Sequence, residues 1–169
     1  QLLRKYKALD FDDLLGEMVK LLKTDAEVRD KLQEKFKYIL VDEYQDTNCA
    51  QNELTKLMAA QSKNICVVGD DDQSIYKFRG AAISNILEFK KTFSKAKQVV
   101  LTQNYRSTQV ILDSAYKLIH HNDPNRLEIQ NKIDKKLTSV KSKPGIIPKE
   151  IFADTISEEA DLVASEIEK

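Results

Sequence analysis

The chain has 169 residues, 41% of them hydrophobic, enough to bury a real core in one domain or one and a half. Its 27 basic and 27 acidic residues cancel, so net charge supplies no steering toward a polyanion, and any nucleic-acid surface must be a local patch. No run of the sequence approaches the roughly 18 apolar residues of a membrane-spanning helix. The two cysteines, Cys49 and Cys66, lie far apart and read as those of a reduced, intracellular protein. The chain opens at Gln1 rather than Met and stops at Lys169 within a helical pattern, so it is expected to be a piece of something longer.

In chain order, Phe11, Leu14, Leu15, Met18, Val19 and Leu22 recur at helical spacing behind Asp10 as N-cap, which predicts an amphipathic helix with a broad buried face. Thr24 and Glu27 form a capping-box pattern ahead of a second helix carrying Val28, Leu32 and Phe36. Tyr38 to Val41 predicts a strand that ends directly in Asp42 and Glu43. Asn48 and Gln51 cap the helix that follows, with Ala50, Leu54, Leu57 and Met58 as its apolar positions. Ile65 to Val68 is short, largely β-branched and wholly apolar, the pattern of a strand buried on both faces, with Cys66 packed inside it.

A helix is predicted from about Ala82 to Phe93, a strand over Gln98 to Leu101, and a helix with Val110, Ile111, Ala115, Leu118 and Ile119 on one face. Strand, helix, strand, helix implies an α/β fold, a parallel sheet with flanking helices. From Asn122 to Lys143 periodicity fades, and six cations stand against three acids, which reads as an exposed, solvated connection. His120 and His121 close a helix, where a cation favours the dipole. Glu150 to Ala153 suggests another strand, and Thr155 with Glu158 caps a last helix. A boundary near residues 94–98 divides the chain into expected domains 1–96 and 97–169.

Two stretches carry chemistry. Asp42 and Glu43 are adjacent carboxylates at a strand end, able to divide the labour of holding Mg²⁺ and of accepting a proton from an attacking water. That is the acidic half of a nucleotide-hydrolysing site, whose remaining work is positioning and charge stabilisation at a γ-phosphate. Gln73 and Arg106 are of the right type for it. The second stretch, Gly69 to Ala81, follows a strand with Asp70, Asp71 and Asp72, then interleaves Tyr76 and Phe78 with Lys77 and Arg79. Strand carboxyl ends are where open α/β sheets bind ligands, and rings alternating with cations suit single-stranded nucleic acid. The alternative is that Tyr76 and Phe78 are core rings beside a solvated loop. A phosphate-cradling P-loop needs two glycines five residues apart followed by Lys and Ser or Thr. Gly16, Gly69, Gly80 and Gly145 do not supply it.

The runs VDEYQDTN (Val41 to Asn48), GDDDQSIYKFRGA (Gly69 to Ala81) and QNYRS (Gln103 to Ser107) resemble, in order and spacing, the second, third and fourth motifs of the UvrD-like superfamily 1 DNA helicases, the UvrD/PcrA/Rep group. LDFDDLL (Leu9 to Leu15) is similar to the helix that precedes their second motif. The similarity fades after about Asn131. It implies a RecA-like motor of two domains that hydrolyses ATP in the cleft between them while moving 3′ to 5′ on single-stranded DNA and opening duplex junctions. Residues 1–96 would be the end of the first motor domain and 97–169 the start of the second.

By that resemblance Asp42 would coordinate Mg²⁺ and Glu43 would activate water. Gln73 would sense the γ-phosphate and couple it to DNA. Tyr76 and Phe78 would stack on bases, with Arg79 supporting them. Tyr105 would stack on adenine, and Arg106 would reach the γ-phosphate as an arginine finger. Phe78 departs from the Trp common in the group, which keeps a stacking face but loses an N–H donor. The P-loop and the last two motifs lie outside these residues, so the chain alone is expected to be catalytically silent, and its partner would be the remainder of its own chain. A cytoplasmic DNA repair or replication protein is implied. Rival readings are the helicase part of an AddA- or RecB-type helicase-nuclease, and a non-catalytic DNA-binding module on a motor scaffold.

Overall fold

The computed structural model describes residues 5, 6, 8–143 and 145–168. The chain separates into two compact units, Gln1–Gln98 and Val99–Lys169. Both mix helices with a small parallel sheet, an α/β arrangement.

In the first unit, α1 (Phe11–Thr24) begins at Asp10, whose side chain accepts from the Asp13 amide while Asp13 accepts from the Asp10 amide. This reciprocal cap satisfies two of the orphan donors of a helix start. Only Leu22 on this helix is fully buried and Leu15, Met18 and Val19 are half-buried; Phe11 and Leu14 are exposed, so the buried face is narrower than the one read from the sequence. The second helix, α2 (Ala26–Lys35), is capped by Asp25 and not by Thr24. Thr24 ends α1 instead, its hydroxyl donating back to the Lys20 carbonyl. The carboxylate one residue on wins the cap because an ionised acceptor binds an N–H more strongly than a hydroxyl does.

Strand β1 (Ile39–Val41) pairs in parallel with β2 (Ile65–Val67), Leu40 opposite Cys66, and α3 (Cys49–Ala59) lies between them in the chain. Asn48 and Gln51 form the predicted capping box of α3. Its most buried residues are Asn52 and Ala59, two turns apart on one stripe, with Leu54, Leu57 and Met58 half-buried beside it. The strands are not buried on both faces. Leu40 and Cys66 are exposed while their neighbours are half-covered, because a strand's alternate side chains face opposite ways and no described segment lies over that second face. Cys66 is therefore not a packed core residue.

The single helix expected over 82–93 is two short ones, α4 (Ser84–Leu87) and α5 (Phe89–Thr92), broken at Glu88. Past the break, Phe89 stands edge-on to Tyr44 with ring centroids 5.6 Å apart and leans on Phe93 at 4.9 Å. Aromatic packing, which periodicity cannot register, sets the local path.

Where the second unit begins, Gln98 to Leu101 forms no strand, and Val99 and Leu101 are exposed. The strand is β3 (Gln103–Asn104), parallel to β4 (Thr138–Ser139), because pairing is decided by where a distant partner arrives. Between them run α6 (Gln109–Ile119), a 3₁₀ turn His120–Asn122, and α7 (Leu127–Asn131). The expectation of an exposed connection over 122–143 fails here: Arg126, Leu127 and Glu128 are buried. Arg126 meets Glu128 at 2.7 Å and Asp123 at 3.4 Å, so the acids flanking it in sequence neutralise it inside. Residues 150–153 form no strand, with Phe152 exposed. Helix α8 (Ile156–Ile167) starts as read, Thr155 accepting from the Glu158 amide.

Candidate active site

Both strands of the first unit end in turns that carry polar side chains, and those turns are fastened to each other. The chain leaves β1 through Asp42, whose carboxylate accepts from the Glu43 amide at 2.9 Å, and through Glu43 itself, held at φ 48° and ψ 45°. A left-handed glutamate is an uncommon conformation that persists where its surroundings over-determine it. The surroundings are specific. The Tyr44 amide donates to the Val68 carbonyl at 2.9 Å, Val68 donates to Val41, and Gln45 Nε2 donates to Glu43 Oε2 at 2.7 Å.

Gln45 is 1% exposed and also uses its carbonyl end, Oε1 accepting from the Asp70 amide at 3.0 Å. Asp70 in turn organises the second turn, accepting from the Asp72 amide and, at 2.9 Å, from Gln73 Nε2. The structure thus joins Glu43, Asp70 and Gln73 through one buried amide. Gly69 permits the approach: a Cβ there would stand 2.6 Å from Gln45 Oε1 and 2.9 Å from Ile86 Cδ1.

Beneath the acid turn lies a neutral network. Tyr44 Oη donates to Asn52 Oδ1 at 2.6 Å, Asn52 Nδ2 to Asn85 Oδ1 at 2.7 Å, and Asn85 Nδ2 to the Thr47 carbonyl at 2.9 Å. Burial pushes the Tyr44 phenol above its ordinary pKa, so it stays a donor. Buried polar groups so satisfied rigidify the turn they support. Gln45, Asn52 and Asn85 were not singled out by sequence reasoning. Nothing in the pattern distinguishes them: Asn52 stands between Gln51 and Glu53, Asn85 follows Ser84, and Gln45 is one polar residue among its motif neighbours.

Downstream, Tyr76 and Phe78 lie 6.0 Å apart, ring planes tilted by 49°, on a turn closed by Gly80 at φ 85°. Phe78 is 78% exposed and Tyr76 is exposed as well, which removes the reading of both as core rings. Arg79 follows in the 3₁₀ turn Lys77–Arg79; its side chain lies outside the described residues. The turn is tied back to the acid side where the Ala82 amide donates to the Thr47 carbonyl at 3.1 Å.

Residues 1–94 match the UvrD/REP helicase N-terminal domain. The chain belongs to the UvrD/REP helicase family. It is 52% identical over 124 residues to the ATP-dependent DNA helicase PcrA of Staphylococcus aureus, and equally to PcrA of Staphylococcus epidermidis. Each alignment covers 73% of this chain and 17% of the relative, so the chain spans a minor part of the relatives it matches.

In the second unit of this family member, Tyr105 and Arg106 sit just past β3, both exposed. Asn104 Oδ1 accepts from the Arg106 amide at 3.0 Å and the Ser107 amide at 2.7 Å, an Asx turn that sets the backbone of both. Tyr105 Oη donates to Gln103 Oε1 at 2.8 Å. Ser139 on β4 donates its hydroxyl to the Ser107 carbonyl and its amide to Gln109 Oε1. No described helix is long and apolar enough to cross a membrane.

Among the described residues, Asp42 fits a divalent cation by its chemistry: an exposed, hard oxygen donor at a strand end. Asp70, Asp71 and Asp72 each place a carboxylate oxygen within 4.8 Å of the others. Asp70, however, is already engaged as the cap of its own turn.

Proposed function

We propose that the chain is part of an ATP-dependent DNA helicase of RecA-like architecture, translocating 3′ to 5′ on single-stranded DNA and opening duplex junctions, with ATP as substrate. Residues 1–96 form the end of its first motor domain and 97–169 the start of its second. The observation that carries the reading is the fastening of the Glu43 turn to the Asp70–Gln73 turn at one end of the β1–β2 pair, where α/β sheets bind ligands. The family membership and the likeness to PcrA support it.

In this reading Asp42 holds Mg²⁺, which supplies charge neutralisation at the phosphates when bound. Glu43 takes the proton of the attacking water, its carboxylate oriented by the Gln45 amide. Gln73, reaching from a turn anchored on Asp70, contacts the γ-phosphate and reports its loss along the three residues to Tyr76. Tyr76 and Phe78 present faces for base stacking, worth about 1–3 kcal/mol per base in such sites, and Arg79 supports them. In the second unit Tyr105 stacks on the adenine and Arg106 stabilises charge on the transferring phosphoryl group. The phosphate cradle comes from sequence beyond these residues, so the chain by itself hydrolyses no ATP. The protein works in the cytoplasm in DNA repair or replication.

The deciding experiment is ATP hydrolysis by the full-length protein with and without single-stranded DNA, comparing wild type with Glu43→Gln. Strong stimulation of wild type, with a variant that binds ATP and DNA but turns over at least about 100-fold more slowly, is expected for a lost general base. No DNA-dependent hydrolysis by the wild type defeats the reading.

A further inference from the structure

Gln45 touches three chain positions that sequence separates. Its amide nitrogen holds Glu43, its amide oxygen holds the Asp70 backbone, and its own carbonyl accepts from Ser74 Oγ at 3.4 Å. There is no slack around it, since Gly69 leaves only the room of a missing Cβ beside Oε1. Glu43, in its left-handed conformation, has a carboxylate that accepts from Gln45 Nε2. A rotation of the Gln45 amide would therefore release Glu43 and the Asp70 turn together.

We propose that Gln45 is a positioning residue, a buried strut that aims the Glu43 carboxylate and locks it to the Asp70–Gln73 turn, so that DNA contact at Tyr76 and Phe78 and the setting of Glu43 change as one. The proposal rests on the reading of Glu43 as the proton acceptor. It predicts that the DNA dependence of hydrolysis, and not only its rate, passes through this amide.

The test uses the full-length protein and two variants. Gln45→Glu keeps the shape and the acceptor for the Asp70 amide but loses the N–H donor to Glu43. Its carboxylate has no N–H to hold Glu43, so Glu43 is no longer aimed. The expected result is a fall of about 10- to 100-fold in DNA-stimulated kcat with KM for ATP within about twofold.

Gln45→Met removes donor and acceptor, and kcat is expected to fall about 10- to 100-fold at every pH, as misplacement of a catalytic group does, with a smaller ratio of DNA-stimulated to basal hydrolysis. Wild-type thermal melting of Gln45→Glu separates this from loss of fold. A Gln45→Glu protein with wild-type kcat, or a Gln45→Met protein with the wild-type stimulation ratio, overturns the strut while leaving Glu43 as base intact. Absence of DNA-stimulated hydrolysis in the wild type overturns both together.

Discussion

The two units bury polar clusters of opposite chemistry. In the first, the acids Asp42 and Glu43 stand at the surface on a buried network of neutral amides and hydroxyls, Gln45, Tyr44, Asn52, Asn85 and Thr47. In the second, the turn of Tyr105 and Arg106 is set by neutral groups, Asn104, Gln109 and Ser139, and the buried support farther along is ionic. Arg126 is 3% exposed, paired to Glu128 and Asp123, and its guanidinium lies 5.6 Å from the Tyr116 ring centroid. Tyr116 Oη donates to Glu128 at 2.8 Å, and His120 meets Asp123 at 2.8 Å. A neutral network holds charged groups without adding a titration of its own, whereas an ionic one ties the stability of its unit to pH and to the survival of every member.

The sharpest break in that comparison is Arg126→Met. Removing one member of a buried ion cluster strands the others, and a loss of about 3–5 kcal/mol is expected in urea unfolding followed in the second unit. Adding Glu128→Gln in the same chain should recover part of it, because the stranded charge is gone; no recovery would mean that the arginine acts through packing alone.

Gly69→Ala tests the first unit. Its Cβ would drive into Gln45 Oε1, Ile86 Cδ1 and the Tyr44 amide nitrogen, and an overpacking cost of about 1–3 kcal/mol is expected. The same chain should lose the protection of the Asp70 amide in hydrogen exchange.

Tyr44→Phe deletes the hydroxyl that Asn52 accepts from, at about 1–3 kcal/mol for an acceptor left buried. The loss should be the same at pH 5 and pH 8. A strongly pH-dependent loss would make the neutral description of this network wrong.

The smallest effect belongs to Asp123. The His120 hydrogen bond foremost, helped by the charges of His120 and Arg126 and opposed by burial, holds its carboxyl below the ordinary value. Its ionised form thus contributes stability above the ordinary carboxylate range, and that contribution disappears as pH falls through the lower folded value. Asp123→Asn should flatten the acid limb of the stability curve below about pH 4 and leave the limb above pH 7 unchanged. An unaltered acid limb would assign it to other carboxylates.

Much of this architecture was legible in the residues. The caps at Asp10, Asn48 and Thr155 were readable because a cap is a local contest between one side chain and three or four backbone amides. Thr24 lost to Asp25 by one position, within the reach of the same contest. The strand after Tyr38, the strand after Asn64 and the family itself were carried by contiguous runs.

What only tertiary structure decided involves partners far away in the chain. Pairing with Thr138–Ser139 moved the strand of the second unit to Gln103–Asn104, and packing of Phe89 on Tyr44 accompanies the break in the helix at Glu88. Arg126, one cation in a basic stretch, became a core residue because Asp123 and Glu128 close on it in space. Gln45 is the clearest case. Its motif marks it as part of a turn, but its role as a strut exists only where β2 delivers Gly69 and Asp70 to within hydrogen-bond distance, and hydrogen bonds across 25 residues leave no period in a sequence.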